Sequence, residues 1–313
     1  MGRRPIVMRS IVAATVAIAG VLAALLAMPA ASADPVPGGS DGPSSTALRL
    51  PLAGQVYVAL GDSYTSSPLT GPPAGPPPGC LRSVNNYPHL VAARTGAQLT
   101  DVSCSGARTR DFSSPQTVQG GHNPPQYDAL GAGTQLVTVG IGGNDIGFGE
   151  IVQSCVSPTP FGTPCRDRYT AGGTDQLAAR IDQLAGRLDD VLAEVHDRAP
   201  GARVLIVGYP SVLPAEGPGC YPVVPYTAGD VEYLRGVLGD LNDTIAAAAA
   251  DGDATYVDTF TPTVGHDVCT LPGTRWIEGL VPTAPAAPVH PNALGAEAMS
   301  RAVLATLGVP AAA

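Results

Sequence analysis

The chain has 313 residues with 17 basic and 26 acidic side chains, a formal charge of −9, and every basic side chain is arginine. An acidic surface without a basic cluster argues against nucleic acid or an anionic membrane as the main partner. With 38 Gly and 32 Pro but few aromatic residues, the composition speaks for long ordered loops and small-residue packing rather than an aromatic binding platform.

Arg3, Arg4 and Arg9 precede an apolar run over 11–28, which ends at Ala31-Ser32-Ala33, a small-x-small cleavage signal. Residues 1–33 therefore read as a secretory signal peptide, and the protein as secreted and extracellular with Asp34 its first mature residue. An uncleaved anchor is the alternative, because the run is nearly long enough to span a bilayer. Removing it leaves 14 Arg against 26 acidic residues, a formal charge of −12. Residues 34–53 hold Pro, Gly and Ser with little apolar periodicity and read as a flexible leader. No composition shift divides 54–313, which is expected to form a single domain.

All six cysteines lie in the mature part, and an oxidising compartment makes pairing the default. Several connectivities are possible. Pairing neighbours, Cys80 with Cys104, Cys155 with Cys165 and Cys220 with Cys269, closes the shortest loops at the least entropic cost. A metal site is not expected, since there is no C-x-x-C pair and no tight His/Cys cluster.

Along the mature chain, Val56-Tyr57-Val58-Ala59-Leu60 is an apolar, β-branched run ended by Gly61 and reads as a buried strand delivering Asp62 and Ser63 to its carboxyl end. Residues 68–79 form a Pro/Gly-rich loop. A short helix is expected over 86–95, with Pro88 in its first turn and Gly96 after it. A strand over 98–102 leads into Ser103-Cys104-Ser105-Gly106, and another over 135–139 leads into Gly142-Gly143-Asn144-Asp145. Residues 146–173 read as a loop-rich excursion.

From Thr174, Leu177, Ile181, Leu184, Leu188, Val191, Leu192 and Val195 recur at spacings of three and four, the stripe of a long amphipathic helix. A strand over 203–207 follows, then a helix capped by Thr227 or Asp230 that runs through the alanines of 246–250. A last strand over 254–257 precedes a loop reaching His290-Pro291-Asn292, where Asn292 caps a helix of 293–307 ended by Gly308. Strands alternate with helices, so the sheet should be mostly parallel, five-stranded, and sandwiched in a three-layer α/β/α arrangement.

The strand ends bring chemistry to one edge of that sheet, where ligands bind in open α/β folds. A serine hydroxyl becomes a useful nucleophile only when a base within hydrogen-bond reach takes its proton. The backbone N–H groups of Ser63 and Gly106 and the side-chain amide of Asn144 could face a developing oxyanion. Of five histidines, His89 and His196 fall on helix surfaces, and His122 and His266 lie in loops with local partners at hand. His290, fixed between Val289 and Pro291 at the start of the last helix, is the favoured candidate base, with His122 and His266 as alternatives. Asp62 and Asp145 read as turn residues that bond nearby N–H groups, and Trp276 as packing near the base.

These motifs, Gly61-Asp62-Ser63-Tyr64, Cys104-Ser105-Gly106-Ala107, Gly142-Gly143-Asn144-Asp145 and His290-Pro291-Asn292, resemble those of the SGNH hydrolase superfamily, the GDSL lipases and esterases, and in particular its secreted actinobacterial members. The resemblance spans about residues 54–308. It implies Ser63 as nucleophile, His290 as general base, an oxyanion hole of Ser63, Gly106 and Asn144, and the neighbour pairing of cysteines. Many members carry Asp three residues before the base, where this chain has Ala287. In similar enzymes a backbone carbonyl takes that part, which points to the Ala287 carbonyl as the group that orients His290, with Asp267 and Asp258 as substitutes.

The implied function is carboxylic-ester hydrolysis, lipase or esterase, on small-molecule or lipid acyl esters, by a monomer with no cofactor and at most transient contact with lipid interfaces. Loops 68–79, 107–134, 146–173 and 209–227 are expected to wall its pocket. Carbohydrate O-deacetylation, acyl transfer to another alcohol, and a non-catalytic binding protein on the same scaffold are the rival readings.

Overall fold

Five apolar and β-branched residues running into glycine make the first strand, β1 (Val56–Gly61), which is buried from Tyr57 onward. The computed structural model describes residues 52–310. The expected signal peptide and the leader up to 51 lie outside the described residues. At the leader's expected end the chain already belongs to the domain: the N–H of Leu52 donates to the Thr95 carbonyl at 3.0 Å and the Leu52 side chain packs against the core.

The other strands are β2 (Gln98–Asp101), β3 (Gln116–Val118), β4 (Gly121–Asn123), β5 (Leu136–Gly140), β6 (Arg203–Val207) and β7 (Thr255–Val257). Five of them form one parallel sheet in the order β2-β1-β5-β6-β7. The central strands β1 and β5 carry almost continuous apolar runs because both of their faces are covered. Edge strand β2 alternates exposed and half-buried residues. The chain steps outward from β1 to β2 and then returns to pair β5 with the other side of β1. That reversal opens a crevice at the carboxyl ends of β1 and β5, where Ser63 and Asn144 follow.

Helices α1 (Ser63–Ser66), α2 (Tyr87–Thr95), α3 (Phe148–Ser154), α4 (Pro164–Tyr169), α5 (Gln176–Arg198), α6 (Ala228–Asp251) and α7 (Ala293–Thr306) flank the sheet, α2 packing with α7 and α5 with α6. All seven residues of the stripe read from the sequence of α5 are buried, and Asp175 caps the helix by accepting the N–H groups of Leu177 and Ala178. Thr227, not Asp230, caps α6; the buried Asp230 carboxylate instead accepts the N–H groups of Cys165 and Arg166 at the start of α4.

Two stretches expected as loops hold short elements, the antiparallel β3–β4 hairpin in 107–134 and α3 and α4 in 146–173. Each is too short to show a periodicity that could be distinguished from a loop. Cys80 is bonded to Cys104, Cys155 to Cys165 and Cys220 to Cys269.

Candidate active site

The turn after β1 is held from several sides. A Cβ at Gly61 would meet the Thr65 hydroxyl at 2.3 Å and the Gly140 carbonyl at 2.7 Å, so only glycine lets the strand end lie this close to β5. The buried amide of Gln126 accepts the Gly61 N–H at 2.7 Å and donates to the Gly61 carbonyl at 3.0 Å. Asp62 caps α1 by accepting the Tyr64 N–H at 2.9 Å, and its own N–H donates to the Gly140 carbonyl. Ser63 therefore begins a helix on a turn that is fixed to both neighbouring strands.

Ser63 Oγ lies 2.7 Å from Nε2 of His290, which reaches it from the far end of the chain. The other ring nitrogen, Nδ1, lies 2.7 Å from the carbonyl of Pro288. A carbonyl can only accept, so this contact assigns the proton to Nδ1 and leaves Nε2 free to accept from the serine hydroxyl. The orienting carbonyl is thus not that of Ala287, which accepts the backbone N–H of His290 at 3.2 Å instead. Val289, with φ at 61°, occupies the left-handed region that β-branched residues rarely adopt. The turn through it brings the Pro288 carbonyl round to the ring.

Aromatic neighbours enclose the imidazole. Tyr64 stacks on it with centroids 4.9 Å apart, and Phe148 meets it edge-on at 5.9 Å. Burial lowers the pKa of His290 below the ordinary histidine value, an effect the Pro288 carbonyl opposes. Neither proposed acidic substitute is bonded to the ring: Asp258 accepts the N–H groups of Phe260 and Thr261, and Asp267 that of Cys269.

The nearest acid preceding His290 in the sequence is Glu278, fully buried, which accepts from Thr283 and from the Asn292 amide while its N–H donates to the His290 carbonyl. Burial acts to raise the pKa of Glu278, but the hydrogen bonds from Thr283 and Asn292 outweigh it and hold it below the usual range. Its part is to clamp the loop that carries His290. The other histidines are tied locally: His89 to Asn86, His122 to Thr117, His196 to Gly252, and His266 to Thr274 with its ring stacked on Trp276.

Around Ser63, Gly106 and Asn144 the donors are free to act. Among the described residues, no protein group accepts the backbone N–H of Ser63 or of Gly106, whose φ is 80°. One amide hydrogen of Asn144 is committed to the Ala107 carbonyl at 3.0 Å, which fixes the group and leaves its second hydrogen available. The Ser105 and Ser66 hydroxyls meet at 3.1 Å, and the Cys104 N–H donates to the Gly61 carbonyl, so the three turns are braced against one another.

Asp145 reaches across rather than around its own turn. It accepts the Thr109 N–H at 3.0 Å and hydroxyl at 2.7 Å, with Arg187 3.6 Å away. Sequence reasoning missed Tyr209. Its hydroxyl accepts the Gly143 N–H at 2.7 Å and donates to Asp62 Oδ2 at 2.5 Å, linking the turn before Asn144 to the one before Ser63. The Asp62 carboxyl is pushed up to about 7 by burial, with the Tyr209 and Tyr64 hydrogen bonds pulling the other way.

A family model described as GDSL-like Lipase/Acylhydrolase family matches residues 59–298. The chain belongs to that family. Among its relatives, Lipase 2 of Streptomyces coelicolor is 44% identical over 259 residues, covering 81% of this chain and 86% of the relative. The crystal structure of phospholipase A1 from Streptomyces albidoflavus is 31% identical with a TM-score of 0.67, covering 81% of this chain and 99% of that one. The extracellular lipase of Streptomyces rimosus is 31% identical with a TM-score of 0.64, covering 81% and 98%. Like its relatives, this GDSL-family chain is an ester-hydrolysing enzyme with the α/β sandwich of SGNH hydrolases.

Behind Phe148 and Val289, the neighbours of the imidazole, this GDSL-family member has an apolar pocket of about 80 Å³. Every side chain in its wall is Val, Leu, Ile, Phe or Tyr. Phe148 and Val289, both neighbours of His290, belong to its wall, and α3, α6 and the loops bearing Val212, Val224 and Leu280 complete it. Of the four expected wall loops, 146–173 and 209–227 contribute, whereas 68–79 and 107–134 do not. The one phenol in the wall, Tyr226, donates to the Val152 carbonyl at 2.8 Å and so presents only its ring.

Proposed function

We propose that this protein is a secreted lipase or esterase that cleaves acyl lipid esters through an acyl-Ser63 intermediate, using a Ser63–His290 dyad oriented by the Pro288 carbonyl. The observation that carries this reading is the chain of two 2.7 Å contacts from Ser63 Oγ through His290 to a main-chain acceptor. As Oγ bonds to the ester carbonyl carbon, Nε2 takes the hydroxyl proton, and the former carbonyl oxygen takes up negative charge between the N–H groups of Ser63 and Gly106 and the Asn144 amide. Collapse breaks the carbon–oxygen bond to the alcohol, which leaves with the proton from the imidazolium. Water then attacks the acyl-enzyme with His290 again as base, releasing the acid and restoring Ser63.

A neutral carbonyl stabilises imidazolium less than a carboxylate does. The lowered basicity of His290 fits such a dyad, and the rigid mounting of Ser63, Gly106 and Asn144 compensates by holding the donors in place before charge develops.

The apolar pocket next to His290 favours an acyl chain of several carbons over acetate, and so favours lipid esters over acetylated sugars. The similarity to a phospholipase A1 points to glycerolipids among them. Export through removal of residues 1–33 accords with three disulfides and with the extracellular lipase among its relatives. A nitrophenyl-ester series from acetate to palmitate, run beside an acetylated xylan, tests the substrate class. Rates rising with chain length beyond butyrate support lipid esters; a preference for the acetylated sugar supports carbohydrate deacetylation instead.

A further inference from the structure

Two loops, 218–227 and 279–289, line the apolar pocket, a third, 156–163, is hydrogen-bonded to the first of them, and none of the three carries a charge. Residues 156–163, 218–227 and 279–289 contain no Asp, Glu or Arg, although the chain has 26 acidic residues and no lysine. Each loop instead exposes a large apolar side chain, and in two of them it adjoins a residue of the pocket wall. Val223 is 66% exposed next to Val224, which lines the pocket, and Val281 is 81% exposed next to Leu280, which also lines it. Phe161 is 80% exposed on the loop that follows α3, whose Ile151 and Val152 form another part of the wall. The other phenylalanines of the chain are buried or half-buried.

The tips are held, not loose. The Ser157 N–H donates to the Pro225 carbonyl at 2.8 Å and the Tyr221 hydroxyl to the Pro158 carbonyl at 2.9 Å, joining the first two loops. Cys155–Cys165 closes the loop of Phe161, and Cys220–Cys269 anchors the loop of Val223. In the third loop the Thr283 N–H and hydroxyl donate to Glu278. A set of exposed apolar side chains kept in place by such bonds, around a pocket that is itself apolar, marks a surface that meets something other than water.

We propose that these three loops form a docking surface for a net-neutral lipid layer, with the mouth of the pocket facing the layer. The proposal rests on the reading of the pocket as an acyl site: the exposed Val223 and Val281 adjoin Val224 and Leu280 of its apolar wall, which gives an acyl chain an apolar route from the layer toward His290. The occupant is a lipid layer without net charge because an acidic protein lacking lysine offers no attraction to anionic headgroups. Apolar contact alone must then supply the affinity, as for other proteins that lie on a membrane surface.

The test uses the full mature chain with Ser63→Ala, so that vesicles are not consumed, and measures flotation with phosphatidylcholine vesicles. Binding is expected, and the Phe161→Ser/Val223→Ser/Val281→Ser variant should lower the bound fraction about tenfold. With Ser63 intact, the same three substitutions should leave kcat/KM for monomeric nitrophenyl butyrate within about twofold while lowering the rate on emulsified long-chain ester about tenfold. If the triple variant does not fold, Phe161→Ser alone is read, with a loss of about threefold expected in flotation.

Equal flotation of parent and variant overturns the proposal, as does binding that appears only when phosphatidylglycerol is added. A dimer that these substitutions dissolve, without vesicle binding by the parent, assigns the surface to a second copy and also overturns it. Failure of the functional reading is seen separately, as no hydrolysis of nitrophenyl butyrate by the parent.

Discussion

The phenol of Tyr64 donates to the carbonyl of Val289 across 2.7 Å, tying the residue after Ser63 to the residue before His290. The same ring stacks on the imidazole, so one side chain sets both the height and the tilt of the base. Tyr64→Phe keeps the stack and loses the hydrogen bond. The expected result is a fall in kcat of about tenfold with KM little changed, because a reacting pair held less closely loses rate rather than affinity. Steady-state kinetics on one soluble ester decides it; an equal loss in KM alone would assign Tyr64 to substrate binding.

In the proposed dyad His290 works in its neutral form, and burial lowers its pKa from the ordinary 6.5. The sign follows directly: neutral His290 persists to lower pH, so the acid limb of the kcat/KM profile should fall at a pH below 6.5, and activity should survive mild acid. Glu278→Gln should leave that limb in place, since its carboxylate holds the loop and not the ring, while lowering the melting temperature. A limb displaced by this substitution would show that Glu278 acts on the imidazole electrostatically.

Tyr209 bridges the turns before Ser63 and Asn144. Tyr209→Phe leaves the Gly143 N–H without its buried acceptor and Asp62 Oδ2 without its donor, at a cost of about 1–3 kcal/mol. Thermal unfolding should register that loss, and kcat should fall more than KM rises. Asp62 adds a pH dependence. Its folded pKa of about 7 lies above the unfolded 3.8, so it holds its proton more tightly when folded. Its contribution to stability is present below 3.8 and lost as pH rises through about 7. Melting temperatures of the parent should therefore decline more steeply over that window than those of Asp62→Asn; parallel curves would contradict the assignment.

Filling the apolar pocket should shorten the preferred chain. Val212→Phe places a ring among the wall side chains. The ratio of kcat/KM for decanoate over butyrate esters is expected to fall about tenfold, since each buried methylene is worth about 0.8 kcal/mol. An unchanged ratio would show that the acyl chain lies elsewhere.

The sheet and its long helices were legible because their signals are long or sharply bounded. The run at Val56–Gly61 stops at a glycine, and the α5 stripe recurs over about five turns. What escaped was short or depended on contacts far apart in sequence. The β3–β4 hairpin has three residues per strand, and α3 and α4 are seven and six residues long, below the length at which a period shows. Tyr209 meets Asp62 across 147 positions, and no local pattern announces such a bridge.

The choice between the carbonyls of Ala287 and Pro288 turned on the positive φ of Val289, a conformation that sequence reading does not assign to a β-branched residue. The motifs themselves were readable, since Ser63, Gly106, Asn144 and His290 each follow a strand end or precede a helix cap.

Intact-mass measurement after reaction with a fluorophosphonate probe tests the central claim most directly. One phosphonyl adduct is expected on the parent protein, mapped to Ser63, absent from Ser63→Ala and slowed in His290→Ala. An adduct that persists in Ser63→Ala, or no adduct on a folded parent that hydrolyses esters, would contradict it.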